Sequence, residues 1–155
     1  MFDAGPGHAR NEDYVGFGRP VLAPAAGTIV WARADLPDNR PGEVPSAEFY
    51  RGIANREERL AAVAGNAVVI DHGDGEFSLL AHLERGSVRV RAGERVARGQ
   101  VVGRVGNSGN STAPHLHYHL MDGPLLFRGD GLPALFTNVT ARLERGTVYN
   151  AAGER

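Results

Sequence analysis

Short valine-rich runs, most of them closed by glycine or another turn residue, recur along the chain at 28–32, 67–70, 77–82, 87–91, 100–105 and 115–121. Runs of this length between turn residues predict strands, and their spacing favours an all-β, mainly antiparallel sheet over alternating strands and helices. One stretch breaks the pattern. Across residues 46–64, Glu57, Glu58, Arg59, Leu60, Ala61 and Ala62 are good helix formers, Ser46 can cap the start and Gly65 can stop the end, which predicts a short helix. The helix falls in an insertion, 35–65, that opens with the loop-like Pro37-Asp38-Asn39-Arg40-Pro41-Gly42. Insertions of this size between paired strands often rim a binding cleft.

Composition bounds the rest. A chain of 155 residues, 42% hydrophobic and 23% charged, can bury a core as one domain spanning 1–155. A net charge of -1 offers no basic face of the kind nucleic acid requires, so no nucleic-acid partner is expected. The arginine-rich stretch 85–104 is accompanied by Glu84 and Glu94, turn glycines and alternating valines, and reads as the outward face of an antiparallel hairpin. No run of about 18 apolar residues encodes a membrane span. The absence of cysteine excludes disulfides and thiol chemistry.

Candidate chemistry centres on His115-Leu116-His117-Tyr118-His119, which follows a Gly- and Ser-rich segment. In a strand, residues i, i+2 and i+4 share a face, so the three imidazoles would stand about 6.6 Å apart in a row. Such a row can supply both a metal ligand and a proton-transfer group. His82 ends an apolar run that reads as a buried strand, where it can enter a cleft. Upstream, His8 is followed by Glu12 and Asp13. Two imidazole nitrogens and one carboxylate oxygen, with water in the fourth position, make an open zinc site. Only one of two adjacent acids can face a metal if the segment is extended. His72, in Asp71-His72-Gly73-Asp74-Gly75, reads as a solvated turn residue outside any site.

At these residues the chain resembles the LytM/lysostaphin-type zinc metallopeptidases. The resemblance runs over residues 8–120: His8 to Asp13, Ala23-Pro24-Ala25-Ala26-Gly27-Thr28, Gly65-Asn66-Ala67-Val68-Val69-Ile70-Asp71-His72-Gly73, Ala81-His82-Leu83, Val96 to Gly103, and Gly106-Asn107-Ser108-Gly109-Asn110-Ser111 leading into Pro114-His115-Leu116-His117. It implies a groove-forming antiparallel sheet of the duplicated-hybrid-motif kind, and endopeptidase action on peptidoglycan peptides. It also implies one zinc ion held by His8, Asp13 and His117, with His82 and His115 flanking the attacking water and the scissile carbonyl. The family motif His-x-x-x-Asp would put Glu12 at the acidic position. Asp13 is preferred because its Asp-Tyr pair and its distance to Pro24 and Gly27 are closer to the family pattern. His119 is expected to orient its neighbours from behind the ligands rather than ligate. The resemblance implies a periplasmic or extracellular location, although no signal segment opens the sequence; a longer precursor would reconcile the two. Two other readings share parts of this pattern: a non-catalytic relative that activates another wall hydrolase, and a histidine phosphocarrier, which would leave His8, Asp13 and His117 unused.

Overall fold

A computed structural model describes residues 10–126 and 128–137. A 3-10 turn, Asn11–Asp13, leads into β1 (Pro20–Leu22) and β2 (Gly27–Arg33). Two helices follow, α1 (Ala47–Gly52) and α2 (Arg56–Ala64), then β3 (Asn66–Gly73), β4 (Glu76–Leu83), β5 (Arg95–Val96), β6 (Val101–Arg104), β7 (His117–Met121) and β8 (Gly131–Leu132). The large sheet has the order β5-β2-β3-β4-β7-β8, and β1 pairs with β6 beside it. Every one of these pairings is antiparallel, as the strand pattern predicted.

Both faces of the central strands are covered. On one, Val68, Ile70 and Leu80 pack with Ile29, Val21 and Val102, and Tyr118 joins them from β7. On the other, Val69, Leu79, Ala81 and Met121 pack with Ala64 at the end of α2. That double burial explains why β3 reads as a continuous apolar run rather than an alternating one. His117 lies opposite Ala81 and His119 opposite Leu79, so both imidazoles rise on the face that α2 covers.

Several expectations need correction. The predicted helix over 46–64 is two helices: Ser46 caps α1 by accepting from Phe49 N, and Asn55 starts α2 by accepting from the amides of Glu57 and Glu58. A second cap in mid-segment restarts the helix, since its side-chain oxygen satisfies amides that a continuous helix would bond internally. Residues 87–91 form no strand; Val88 and Val90 instead tuck into the core, tied by Arg89 N to Val102 O at 3.0 Å. The arginine-rich stretch is therefore not one hairpin, because β5 pairs with β2 and β6 with β1. His72 lies at the end of β3, not in the turn, and both its ring nitrogens are engaged, Nδ1 with Ala26 O and Nε2 with Ser78 Oγ, each at 2.8 Å.

Gly65 and Gly109 set how closely α2 approaches the segment before His115. Gly65 ends α2 at φ 75°, and a Cβ there would meet Ser108 O at 2.6 Å. Gly109, at φ 73°, would place a Cβ 2.6 Å from Val63 O. Both positions combine a left-handed backbone with a contact that leaves no room for a methyl group. Gly109→Ala should therefore destabilise the protein by about 2 kcal/mol or more. Gly99→Ala, at φ 81° with open space around it, should cost only the backbone strain of about 1–2 kcal/mol. Urea unfolding of the two variants decides the matter, and equal midpoints would remove the close approach as a constraint.

Candidate active site

The site begins with a defect in β4. Asn66 pairs with Leu83 and Val68 with Leu80, so β4 carries one more residue than β3 over this span. Leu80 and Leu83 both reach the same core cluster although they are three positions apart, an odd offset that an unbroken two-residue alternation would send to opposite faces. His82 absorbs the irregularity with φ 61°. A left-handed conformation costs a non-glycine residue about 1–2 kcal/mol, and the bulge redirects its side chain. The His82 ring consequently stands 4.8 Å from that of His115 and 5.6 Å from that of His117, centroid to centroid.

His115 does not belong to the strand that carries His117 and His119. It precedes β7, and its Nδ1 donates to Ala113 O at 2.8 Å, with Ser111 Oγ 3.2 Å away. The expected row of three therefore becomes a cluster of four. Pro114 favours extended backbone in the residue before it and breaks the ladder; a loop, not the pleat, aims His115. His117 and His119 do share a strand face, with ring centroids 5.2 Å apart and His117 Nε2 hydrogen-bonded to His119 Nδ1 at 2.9 Å.

Hydrogen bonding fixes the tautomers of two rings. His82 Nδ1 donates to the buried carbonyl of Ser108 at 2.8 Å, and His115 Nδ1 donates to Ala113 O. A neutral ring carries one proton, so both lone pairs sit on Nε2. Burial pushes His82 down from the usual 6.5 to about 4; the bond to Ser108 opposes this, and repulsion from His115 and His117 adds to it. Burial likewise lowers His117, helped by His119 and His115, and lowers His119. His82, His117 and His119 are held toward the neutral form, which is the form that binds metals and accepts protons.

The acidic candidates lie on the 3-10 turn rather than on extended chain. Three residues per turn set neighbouring side chains about 120° apart, so Glu12 and Asp13 still point differently. Glu12 pairs with Arg10 at 3.3 Å, while Asp13 Oδ2 accepts from the backbone amide of Arg10 at 3.1 Å. The turn is joined to the histidine loop: Asn107 Nδ2 donates to Asn11 Oδ1 at 3.1 Å. His8 lies outside the described residues, and among those described no three histidine or acidic side chains converge as a metal-holding group.

Sequence reasoning missed the polar framework behind these rings. Asn66, Asn107 and Ser108 are wholly buried and Ser111 nearly so. Ser108 Oγ donates to Leu83 O at 2.7 Å and accepts from Asn66 N at 2.9 Å. The run Asn107-Ser108-Gly109-Asn110-Ser111 is the only signal that could have found it, and loops have the same composition.

Residues 13–126 match the sequence profile of Peptidase family M23. Among curated proteins, the peptidoglycan DD-endopeptidase ShyA of Vibrio cholerae is 41% identical over 76 residues, 49% of this chain and 16% of its own. The peptidoglycan DD-endopeptidase ShyC of the same organism is 33% identical over 104 residues, 67% of this chain and 19% of its own. The chain thus spans less than a fifth of the length of these relatives. Among solved structures, the catalytic domain of the prophage-encoded M23 protein EnpA from Enterococcus faecalis superposes with a TM-score of 0.52 at 26% identity, covering 77% of this chain and 70% of its own. Lysostaphin from Staphylococcus simulans, titled an antimicrobial peptidase, gives 0.50 at 25%, covering 76% and 39%.

The lowered histidines fix the sign of the pH dependence of the metal-free protein. An unfolded histidine takes up a proton below about 6.5, which folded His82 refuses until about 4. Stability is therefore full above pH 6.5 and falls as the pH drops toward 4. Urea midpoints in chelator should be lower at pH 5 than at pH 7.5, and His82→Asn, which tolerates the left-handed backbone, should remove part of that difference. A midpoint that holds or rises on acidification would contradict the assignment.

Proposed function

Because the chain belongs to Peptidase family M23, we propose that it is a zinc-dependent endopeptidase that cuts peptide bonds in peptidoglycan within the cell envelope. The observation that carries this reading is the cluster of His82, His115 and His117, with two rings locked so that Nε2 bears the lone pair. A phosphocarrier of another family is excluded by the membership, and the named relatives favour peptide hydrolysis over a purely regulatory role.

The chemistry of the proposed donor set suits a zinc ion. His117 offers Nδ1 if its Nε2 carries the proton and gives it to His119 Nδ1, an arrangement that would orient the ligand and leave His119 behind it. Asp13 would supply a carboxylate and His8 a second imidazole, giving the two nitrogens and one oxygen of an open zinc site. An ion held by these residues would supply Lewis-acid activation of the attacking water and of the carbonyl to be cut.

The remaining chemistry falls to His82 and His115. In the tautomer set by Ser108, neutral His82 can accept a proton at Nε2 but has none there to give; His115, tied to Ala113 O, is in the same state. One ring takes the proton of the attacking water and thereby becomes a donor, able to pass that proton to the departing amine. The insertion at 35–65 and α2 belong to one domain with the sheet, and α2 walls the face that bears His117 and His119.

Purified protein should bind one zinc and release peptide cross-links from sacculi. His117→Ala should lose zinc and activity together. His82→Ala and His115→Ala should keep zinc and lose about a hundred- to ten-thousandfold in rate, and His119→Ala about 10- to 100-fold. Elemental analysis beside product release measured by mass is the check. Zinc loss in His82→Ala equal to that in His117→Ala would overturn the division of roles, and zinc binding without any turnover would favour an activator of another hydrolase.

A further inference from the structure

The segment 106–115 supplies the partners of both His82 and His115, yet it contains no helix and no strand of its own. Within the segment Ser111 N donates to Gly109 O at 3.0 Å, and one residue of the insertion provides three further bonds to its carbonyls. Asn39 Nδ2 donates to Gly109 O at 2.7 Å and to Ser111 O at 3.0 Å. The Asn39 backbone amide donates to Asn107 O at 3.0 Å. The Asn39 carbonyl in turn accepts from Asn107 Nδ2 at 3.2 Å and from Asn11 Nδ2 at 2.9 Å. Asp38 braces the same place, its Oδ1 accepting from Asn107 N at 2.6 Å and its Oδ2 from Arg85 N at 3.0 Å.

Position along the loop gives these bonds their consequence. Ser108 O, which receives the proton of His82 Nδ1, lies between the two carbonyls, of Asn107 and Gly109, that Asn39 holds. Ser111, whose carbonyl is the third, brings its Oγ to His115 Nδ1 and donates to Asn107 Oδ1 at 2.7 Å. Asn11 sits two residues before Asp13 on the turn. We propose that Asn39 is a positioning residue: through the 107–111 loop and its own bond to Asn11 it sets His82, His115 and the acidic turn relative to one another while touching neither imidazole and neither acid. Its meaning for turnover rests on the peptidase reading above; the geometric part does not.

The role requires an amide donor, not merely a side chain of that size. Asn39→Asp keeps the shape but turns a negative oxygen toward two carbonyl oxygens, and Asn39→Ala takes the side-chain donor from Ser111 O and leaves Gly109 O with the amide of Ser111 alone, a loss that is costly for groups removed from water. A space-filling role predicts the opposite order, with Asp tolerated and Ala harmful.

The experiment follows the imidazole nitrogen and proton resonances of His82 and His115 in the whole metal-free chain by NMR, with the amides of Val68 and Val69 reporting that the sheet is intact. Asn39→Asp and Asn39→Ala should both shift the two Nδ1–H signals and speed their exchange with water at least tenfold, with Asp no better than Ala. Asn39→Ser, which retains one hydroxyl donor and the backbone bonds, should fall between and gives the same readout if the harsher variants fail to fold. In zinc-loaded protein, kcat should fall about 10-fold or more with KM within twofold. Unshifted His82 and His115 signals in any folded variant, or Asp behaving as wild type, would overturn the proposal. Wild-type protein that neither binds zinc nor cuts sacculi would remove the peptidase reading, and the imidazole signals would still decide the role of Asn39.

Discussion

A buried loop without a ladder has to satisfy its backbone group by group, from side chains and from remote backbone, and the segment 106–111 is such a loop. Buried polar groups left unpaired cost about 1–3 kcal/mol each, so its placement is possible only with Asn66, Asn107, Ser108 and Ser111 in their present partnerships. Ser108 is the junction: its hydroxyl joins the ends of β3 and β4, and its carbonyl receives His82. The last turn of α2 closes onto the same loop, where Asn110 N donates to Val63 O at 2.9 Å. Sheet, helix, insertion and acidic turn thus meet at one hydrogen-bonded seam.

The bulge at His82 and the burial of the cluster serve one end. A strained backbone persists only where its surroundings over-determine it, and the Ser108 bond together with packing against His115 and His117 does so here. Removing imidazoles from water favours their neutral form, which keeps lone pairs ready for a metal or a proton. The strain and the desolvation reinforce each other: both are lost when the chain unfolds, and neither is a feature that core packing alone would select.

Much of this was legible in the chain before its fold was known. Valine runs between glycines marked the strands, Ser46 and Gly65 marked helix ends, and motifs around His82, His115 and His117 marked rings that the fold brings together. What escaped had a common cause, in that the deciding partner was distant or the signal ambiguous. Asn55 could be a helix residue or a cap. Val88 and Val90 have strand composition but enter the core without pairing. His115 fits the alternation of β7 but is aimed by a loop, and His72 reads as a turn residue until its bonds to Ala26 and Ser78 are known. Asn39 lies 70 residues from Gly109 in sequence, and nothing in a loop-like run foretells so remote a contact.

The central claim is that hydrogen-bond partners sort a crowded histidine cluster into those that hold metal and those that act on substrate. X-ray absorption at the zinc edge tests it most directly, because multiple scattering from imidazole rings counts the histidines bound to the ion. The account predicts two imidazoles, from His8 and His117, with the remaining ligands oxygen at about 2.0–2.2 Å. A spectrum requiring three or four imidazoles would mean that His82 or His115 is a ligand and would contradict it.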